Sequence, residues 1–216
     1  MNHRTSYLTA VFVLLAIATM PTVARADWKR IRDLVRSADA ITNKAEKEKV
    51  LRKAYAEAKE SVRKAPKVSN EYLWLSNAAG RLAQAVGTKE RIALSKVVKD
   101  NAEKAIALDA KNGPAYMTLG AWHYYVADLS WFERTAAKAF YGGVPSASFE
   151  KAVANLTLAL KHGVENPVEV YFLRAHAHEE LDHDAQAASD YRACIASAPR
   201  NDAERAHQKR AREKLD

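Results

Sequence analysis

Apolar residues recur along most of the chain at the i, i+3, i+4, i+7 spacing of amphipathic α-helices. The clearest run lies between positions 51 and 62 and consists of Leu51, Ala54, Tyr55, Ala58 and Val62. This helix should end before Pro66, because proline in a helix interior removes a backbone hydrogen bond and clashes with the preceding turn. Similar runs continue to the end of the sequence, so the pattern predicts an all-α protein.

A fixed six-residue step links a residue that follows one predicted helix to a large residue of the next. The step connects Pro66 to Tyr72, Ala110 to Tyr116 and Pro199 to Arg205. Tyr116, Leu119 and Gly120 also have the aromatic, Leu and Gly spacing of a tetratricopeptide repeat, a 34-residue helix–turn–helix unit. We therefore predict a tetratricopeptide-repeat helical solenoid. Its expected parts are repeats over about 35–68, 69–112, 113–167 and 168–201, followed by a C-terminal cap helix over 202–216.

The first repeat is predicted to begin after a short lead-in over 27–35. Ala38, Ile41 and Ala45 are assigned to its first helix, and Ala54 and Ala58 to the small positions where its second helix crosses the first. Gly87 and Thr88 mark the boundary between the two helices of the second repeat.

The third repeat contains an insertion over 127–147. It carries the apolar and aromatic residues Leu129, Trp131, Phe132, Phe140 and Tyr141. These residues could prolong the first helix or form a further short one, and could serve as core or as binding surface. After the insertion, Ser146 or Ser148 can cap the next helix.

Residues 1–26 have the three-part pattern of a secretory signal peptide: a positive start, an apolar run from Leu8 to Met20, and Ala24-Arg25-Ala26 before Asp27. A mitochondrial presequence should instead be amphipathic and rich in Arg and Ser. The apolar run is short for a membrane span, and no second candidate follows it. The mature chain is therefore expected to be soluble, to begin at Asp27 and to be periplasmic or secreted.

The net charge, the single cysteine and the lack of catalytic motifs limit the classes of function that the sequence supports. The net charge is +8, but Lys and Arg alternate with Asp and Glu as on solvated helix faces, so nucleic-acid binding is not expected. Cys194 is the only cysteine and occupies a position where the repeat pattern has Ala, which predicts a buried structural thiol. The sequence has no phosphate-binding loop or nucleophile–base motif, so we predict no enzyme activity, no catalytic residues and no cofactor.

The stretches Lys104–Trp122, Trp131–Arg134 and Val144–Ala152 resemble the regulator of microtubule dynamics family. The resemblance extends from about Lys47 to the C-terminal tail and is most specific around the insertion. It implies a tetratricopeptide-repeat fold with an insertion in the corresponding repeat, and it transfers no catalytic residues.

The densest polar stretch runs from His176 to His183. His176 and His178 would lie about 200° apart on a helix and could not face one ion there. His178 shares a face with Asp182, and Glu179 shares one with His183, but two ligands make a weak metal site. A structural or solvated role is therefore favoured and no metal site is assigned. A metal- or small-molecule-binding periplasmic protein using the His176–His183 helix stays open as an alternative function.

The main functional prediction is a groove. Residues of the first helices that do not pack within a solenoid face its concave side, where ligands generally bind. The predicted partner-binding residues are Asn77, Arg81, Tyr124, His176 and Glu179, whereas Trp122 and Phe132 are interpreted as core. We therefore expect a non-catalytic scaffold or adaptor of the cell envelope that binds a protein or peptide partner. A self-associating structural subunit, a possible homo-oligomer, is the further alternative.

Overall fold

The computed structural model describes residues 27–129, 138, 146–165 and 167–216, and these residues form nine α-helices and one short 3-10 helix. The helices are α1 (Trp28–Ser37), α2 (Lys44–Lys64), α3 (Ser69–Ala85), α4 (Thr88–Leu108), α5 (Gly113–Ala127), α6 (Phe149–His162), α7 (Val168–Glu179), α8 (Asp184–Ala196) and α9 (Asp202–Glu213); the 3-10 helix spans Ala38–Ala40. The architecture is an all-α helical-repeat solenoid, as predicted.

The helices form an inner and an outer layer. Each of α1, α3, α5 and α7 packs against the helix that follows it, which gives four helical pairs. The odd-numbered helices also contact one another in the order α1, α3, α5, α7 and α9 and form the inner layer. Helices α2, α4, α6 and α8 lie outside them.

Small residues allow the two layers to approach closely. Ala54, Ala58, Ala102, Ala105 and Ala152 on the outer helices have no measurable exposure. Gly120 of α5 lies against Leu156 of α6 so closely that a Cβ on the glycine would be 2.7 Å from the leucine Cγ. The alanine and glycine positions of the repeat pattern therefore act as helix-crossing points, as the sequence indicated.

Polar caps determine where several helices begin. The side-chain oxygens of Asn43, Asn112, Ser148 and Asn201 each accept a hydrogen bond from the backbone N–H three residues further on. The choice between Ser146 and Ser148 is thereby settled in favour of Ser148. Helix α2 ends at Lys64, before Pro66, and α3 and α4 meet at Gly87 and Thr88, both as predicted.

The first helical pair begins earlier than the sequence analysis placed it. Ile31 and Val35 of α1 are buried against Ala54 and Ala58 of α2, so the predicted lead-in is itself the first helix of the pair. Asn43 caps α2, which assigns Ala45 to the second helix. Ala38 lies in the 3-10 helix and Ile41 in the connection, so the assignment of Ala38, Ile41 and Ala45 to the first helix was wrong.

Helix α9 covers the C-terminal end of the inner layer. Its Ala211 is fully buried, and the Gln208 side chain donates hydrogen bonds from Nε2 to the backbone oxygens of Cys194, Ile195 and Ser197 at 2.6–3.0 Å. These carbonyls belong to the end of α8 and the residue after it, where intrahelical donors run out. The predicted cap helix therefore also satisfies the end of the last pair.

Two predicted segments lie outside the described residues. They are the signal peptide over 1–26 and most of the insertion over 127–147, including Trp131, Phe132, Phe140 and Tyr141. Across the part of the chain that is described, no helix combines the length and apolar character that a membrane span requires.

Candidate functional site

A groove of about 1520 Å³ follows the inner layer from α1 to the beginning of α7 and also reaches α4 and the α8–α9 connection. We call it the inner groove. Its lining includes Leu73 and Trp74 of α3 and Met117, Ala121 and Tyr125 of α5. The groove therefore has an apolar base on which charged residues from several helices converge.

Arg81 is a partly buried charge of the inner groove. Its guanidinium forms an ion pair with Asp39, and burial lowers its pKa while the nearby Glu169 opposes the shift. Burial raises the pKa of Glu169, and Arg81 opposes that change in turn. The predicted residue Arg81 thus faces the groove, where its guanidinium is influenced by the carboxylates of Asp39 and Glu169.

Asn77 lies one helical turn before Arg81 on α3 and also lines the groove. Its Oδ1 accepts a hydrogen bond of 3.1 Å from the Thr118 hydroxyl of α5, and this contact links two neighbouring inner helices. The side chain is only partly buried. Asn77 therefore combines a fixed orientation with access to a bound molecule.

The other three predicted residues are brought together elsewhere. Tyr124 packs against Phe149 and His176, with ring centroids 5.9 and 6.2 Å apart. The His176 Nδ1 lies 3.3 Å from a carboxylate oxygen of Glu179, and the same oxygen pairs with Lys214 at 2.9 Å. These residues form a cluster between α5, α7 and the C-terminal segment, so the structure does not bring them to the inner groove with Asn77 and Arg81.

Phe172 is at the centre of this C-terminal cluster. Its ring lies 4.6 Å from His176 and 4.3 Å from His207, and Tyr191 of α8 completes the packing. Burial lowers the pKa of both histidines. The cluster is therefore built as a hydrophobic contact that contains neutral imidazoles.

Tyr125, which sequence reasoning missed, takes the place expected for Tyr124. It is 51% exposed and lies in the groove, where desolvation raises its pKa to about 12 and keeps the hydroxyl protonated. A signal for it exists in the sequence. Met117, Ala121 and Tyr125 follow one another at four-residue intervals and so share one face of α5.

The polar stretch from His176 to His183 divides between two surroundings. His176 faces the C-terminal cluster, whereas His178 Nδ1 lies 3.3 Å from His183 Nδ1 on the surface. Over the described ranges, no three His, Cys, Asp or Glu side chains converge in a way that could hold a metal ion. The separation of His176 and His178 agrees with the helical angle between them.

Cys194 and Trp122 are buried, as predicted. Cys194 has no measurable exposure, and burial raises its pKa to about 11, which keeps it in the unreactive thiol form. Trp122 is 5% exposed and donates from Nε1 to the backbone oxygen of Ser95 at 3.0 Å.

Comparison with known protein sequences shows which family this chain is similar to. The family model for regulator of microtubule dynamics protein 1-3 matches residues 13–216. Regulator of microtubule dynamics protein 3 of Xenopus laevis is 28% identical over 163 residues, which are 74% of this chain and 35% of that protein. Regulator of microtubule dynamics protein 1 of Mus musculus is 30% identical over 112 residues, which are 52% of this chain and 37% of that protein.

A solved structure has the same type of fold. It is the crystal structure of a thermophilic TPR protein of Thermus thermophilus, which superposes with a TM-score of 0.50 at 16% identity. The match covers 87% of this chain and 98% of that protein. At this identity the likeness concerns the helical-repeat fold alone. The chain spans about a third of the length of the curated relatives that it matches.

Proposed function

Since the chain belongs to the regulator of microtubule dynamics family, we propose that it is a non-catalytic scaffold that binds a peptide segment of a protein partner in the inner groove. A helical-repeat fold and membership of this family both fit a protein-binding scaffold.

The size and lining of the groove carry this proposal. A typical small-molecule pocket encloses about 300–1,000 Å³, whereas the inner groove measures about 1520 Å³ and is lined by residues of four inner helices, α1, α3, α5 and α7. It suits an extended or helical peptide better than a compact metabolite. The Asn77–Thr118 and Arg81–Asp39 contacts hold polar groups in place before binding, which limits the entropy lost when a partner is ordered.

The non-catalytic character of the scaffold is supported by the surroundings of its charged and nucleophilic groups. Arg81 forms an ion pair with Asp39 in the groove, Glu169 lies close enough to affect its pKa, and the Cys194 thiol is enclosed in the core. A binding role uses such fixed charges directly, whereas an activated nucleophile would need a neighbouring base.

We further propose that the protein acts in the cell envelope, because residues 1–26 have the pattern of an export signal. An exported protein would meet no microtubules, so its partner would differ from anything that the relatives' names suggest. Fractionation of the producing cells, with N-terminal sequencing of the mature protein, tests this part. A first residue of Asp27 in the envelope fraction is the expected result, and retention of the intact N-terminus inside the cell would contradict it.

Affinity capture from an envelope extract tests the groove. The protein is compared with the Arg81→Glu/Tyr125→Ala variant, which changes two groove residues, and with Arg192→Glu, which makes the same charge change at an exposed position of α8. A protein retained by the wild type and by Arg192→Glu, but lost by the groove variant, would identify the partner. Equal retention by all three would reject the inner groove as the binding site.

A further inference from the structure

One carboxylate of the inner groove is shared by two arginines from distant parts of the chain. Glu165, in the α6–α7 connection, accepts hydrogen bonds of 3.0 Å from Arg36 Nη2 and from Arg200 Nη1. Arg36 belongs to α1 and Arg200 to the α8–α9 connection, and all three residues line the groove. The contact therefore joins both ends of the solenoid at the edge of the groove.

The geometry of this contact is that of an exchangeable ion pair. Each guanidinium uses one nitrogen, and both meet the same oxygen, Oε2, so neither forms the parallel two-bond arrangement that makes arginine–carboxylate pairs strong. The side chains of Glu165, Arg36 and Arg200 are 64%, 50% and 49% exposed. Exposed ion pairs of this kind contribute little to stability, so replacing one carboxylate by another has a small cost.

The arginines are held in place by contacts besides Glu165. The Arg36 guanidinium lies 5.9 Å from the centre of the Trp74 ring, at cation–π distance. Arg200 Nη2 lies 3.6 Å from Glu204 Oε1, and the Arg200 backbone N–H donates to the same carboxylate. The two cations would therefore keep their positions if Glu165 moved away.

The wider lining of the groove has an excess of positive charge. Six of its described side chains are basic and three are acidic. Arg32, which also lines the groove and whose Nε pairs with Asp33 Oδ1 at 2.8 Å, lies 5.7 Å from the centre of the Trp28 ring. An approaching acidic group would therefore meet an attractive field beside the apolar surfaces of Trp28 and Trp74.

We propose that Glu165 occupies the position of a carboxylate of the partner. In the complex, an Asp or Glu side chain of a peptide segment that contains both acidic and apolar residues replaces Glu165 on Arg36 and Arg200. The inference rests on the proposed function of the inner groove and specifies the chemistry of its occupant. An incoming carboxylate could engage both oxygens, one with each arginine, while neighbouring apolar side chains of the same segment cover the tryptophans. Glu165 would then limit binding to partners that present this charge.

Two synthetic peptides test the proposal, each acetylated and amidated so that they carry no terminal charge. One alternates Leu and Glu and the other alternates Leu and Gln. Binding of both peptides to the full chain is measured by titration calorimetry at low and at high salt.

The proteins compared are the wild type, Glu165→Ala, the Arg36→Gln/Arg200→Gln double variant, and Glu60→Ala. Glu60 is an exposed carboxylate that pairs with Arg63 outside the groove, so its removal matches the charge change of Glu165→Ala.

The expected result is a preference for the Glu peptide that weakens with salt and increases in Glu165→Ala. That variant should bind the Glu peptide roughly three- to tenfold more tightly, because both arginines are released from their internal pair. Glu60→Ala should bind like the wild type. The double variant should bind both peptides equally, and circular dichroism should show that each variant keeps its helical content.

The possible failures separate this inference from the proposed function. If both peptides bind equally well to the wild type and Glu165→Ala changes nothing, the groove binds peptides but the exchange of carboxylates is rejected. If neither peptide binds any of the four proteins, the peptide-binding function of the groove and the inference are both rejected.

Discussion

The inner layer presents two different surfaces at its two ends. Between α1 and α5, inner residues such as Asn77 and Arg81 line an open groove, and Tyr125 is half exposed there. Between α5 and α9, the corresponding residues are packed: His176 lies against Phe172, and Phe172 against His207. Both regions are built from pairs of packed helices.

The difference comes from the last helix. Helix α9 packs on α7, and the residues after it bring Lys214 to Glu179, so this face of α7 is covered. A terminal element of a solenoid must shield the apolar surface of its neighbour. A first-helix position is therefore available to ligands only where the next inner helix leaves it uncovered.

The largest difference in stability between the two regions is expected when one aromatic residue is replaced in each of them. Phe172→Ala should lower the free energy of unfolding by about 3–5 kcal/mol, because a buried ring is lost and a cavity remains. Tyr125→Ala should cost less, about 1 kcal/mol, because the ring is half exposed in the groove and its loss removes an edge contact with the Tyr124 ring at 5.3 Å. Denaturation with urea, followed by circular dichroism, measures both values.

Binding of the Leu–Glu peptide should show the opposite order of effects in these two variants. Tyr125→Ala should weaken binding of the Leu–Glu peptide, whereas a still-folded Phe172→Ala variant should bind it normally. Similar losses of stability in the two variants would show that the groove and the C-terminal cluster are packed alike.

Most of the fold follows from local features of the sequence. Helices α3, α5 and α9 begin three residues after the positions 66, 110 and 199 that the six-residue step identified. The crossing alanines are buried because only small side chains fit between the layers. Arg81 and Asn77 could be placed on the inner face because the repeat pattern fixes which face of α3 is turned inward.

The incorrect assignments depend on contacts between residues that are far apart in the sequence. The first helix was placed too late because Ile31 and Val35 show their role only when they contact Ala54 and Ala58. Tyr124, His176 and Glu179 were assigned to the groove because the sequence does not reveal that the C-terminal helix and tail return to contact this part of the inner layer. Lys214, which pairs with Glu179 from 35 positions away, is an example of such a contact.

Two glycines test how much room each region has. In Gly120→Ala the added Cβ would meet Leu156, so this change should cost about 1–3 kcal/mol through overpacking. Gly80 lines the inner groove, and its added Cβ would lie 3.5 Å from Val98, an ordinary contact distance. Gly80→Ala should therefore stabilise the protein by up to about 1 kcal/mol, because alanine favours the helix more than glycine does. The opposite signs are measured in one set of urea unfolding curves, and a destabilised Gly80→Ala variant would show that the groove is more tightly packed than the structure implies.

The smallest expected effect is on the pH dependence of stability, because the imidazoles involved keep part of their surface in water. Burial lowers the pKa of His176 and of His207, and burial together with Lys151 lowers that of His123 to about 4. The folded protein therefore binds fewer protons than the unfolded chain once the pH is below the usual histidine value of about 6.5. The stabilisation is present above that value and is lost as the pH falls through it towards the folded values. The double variant His176→Gln/His207→Gln should lose less stability than the wild type between about pH 7.5 and about pH 5. Both curves should still fall towards pH 4, where His123 becomes protonated. If the double variant shows the wild-type pH dependence, the histidines of the C-terminal cluster are not kept neutral by packing, and acid would then affect the two ends of the inner layer equally.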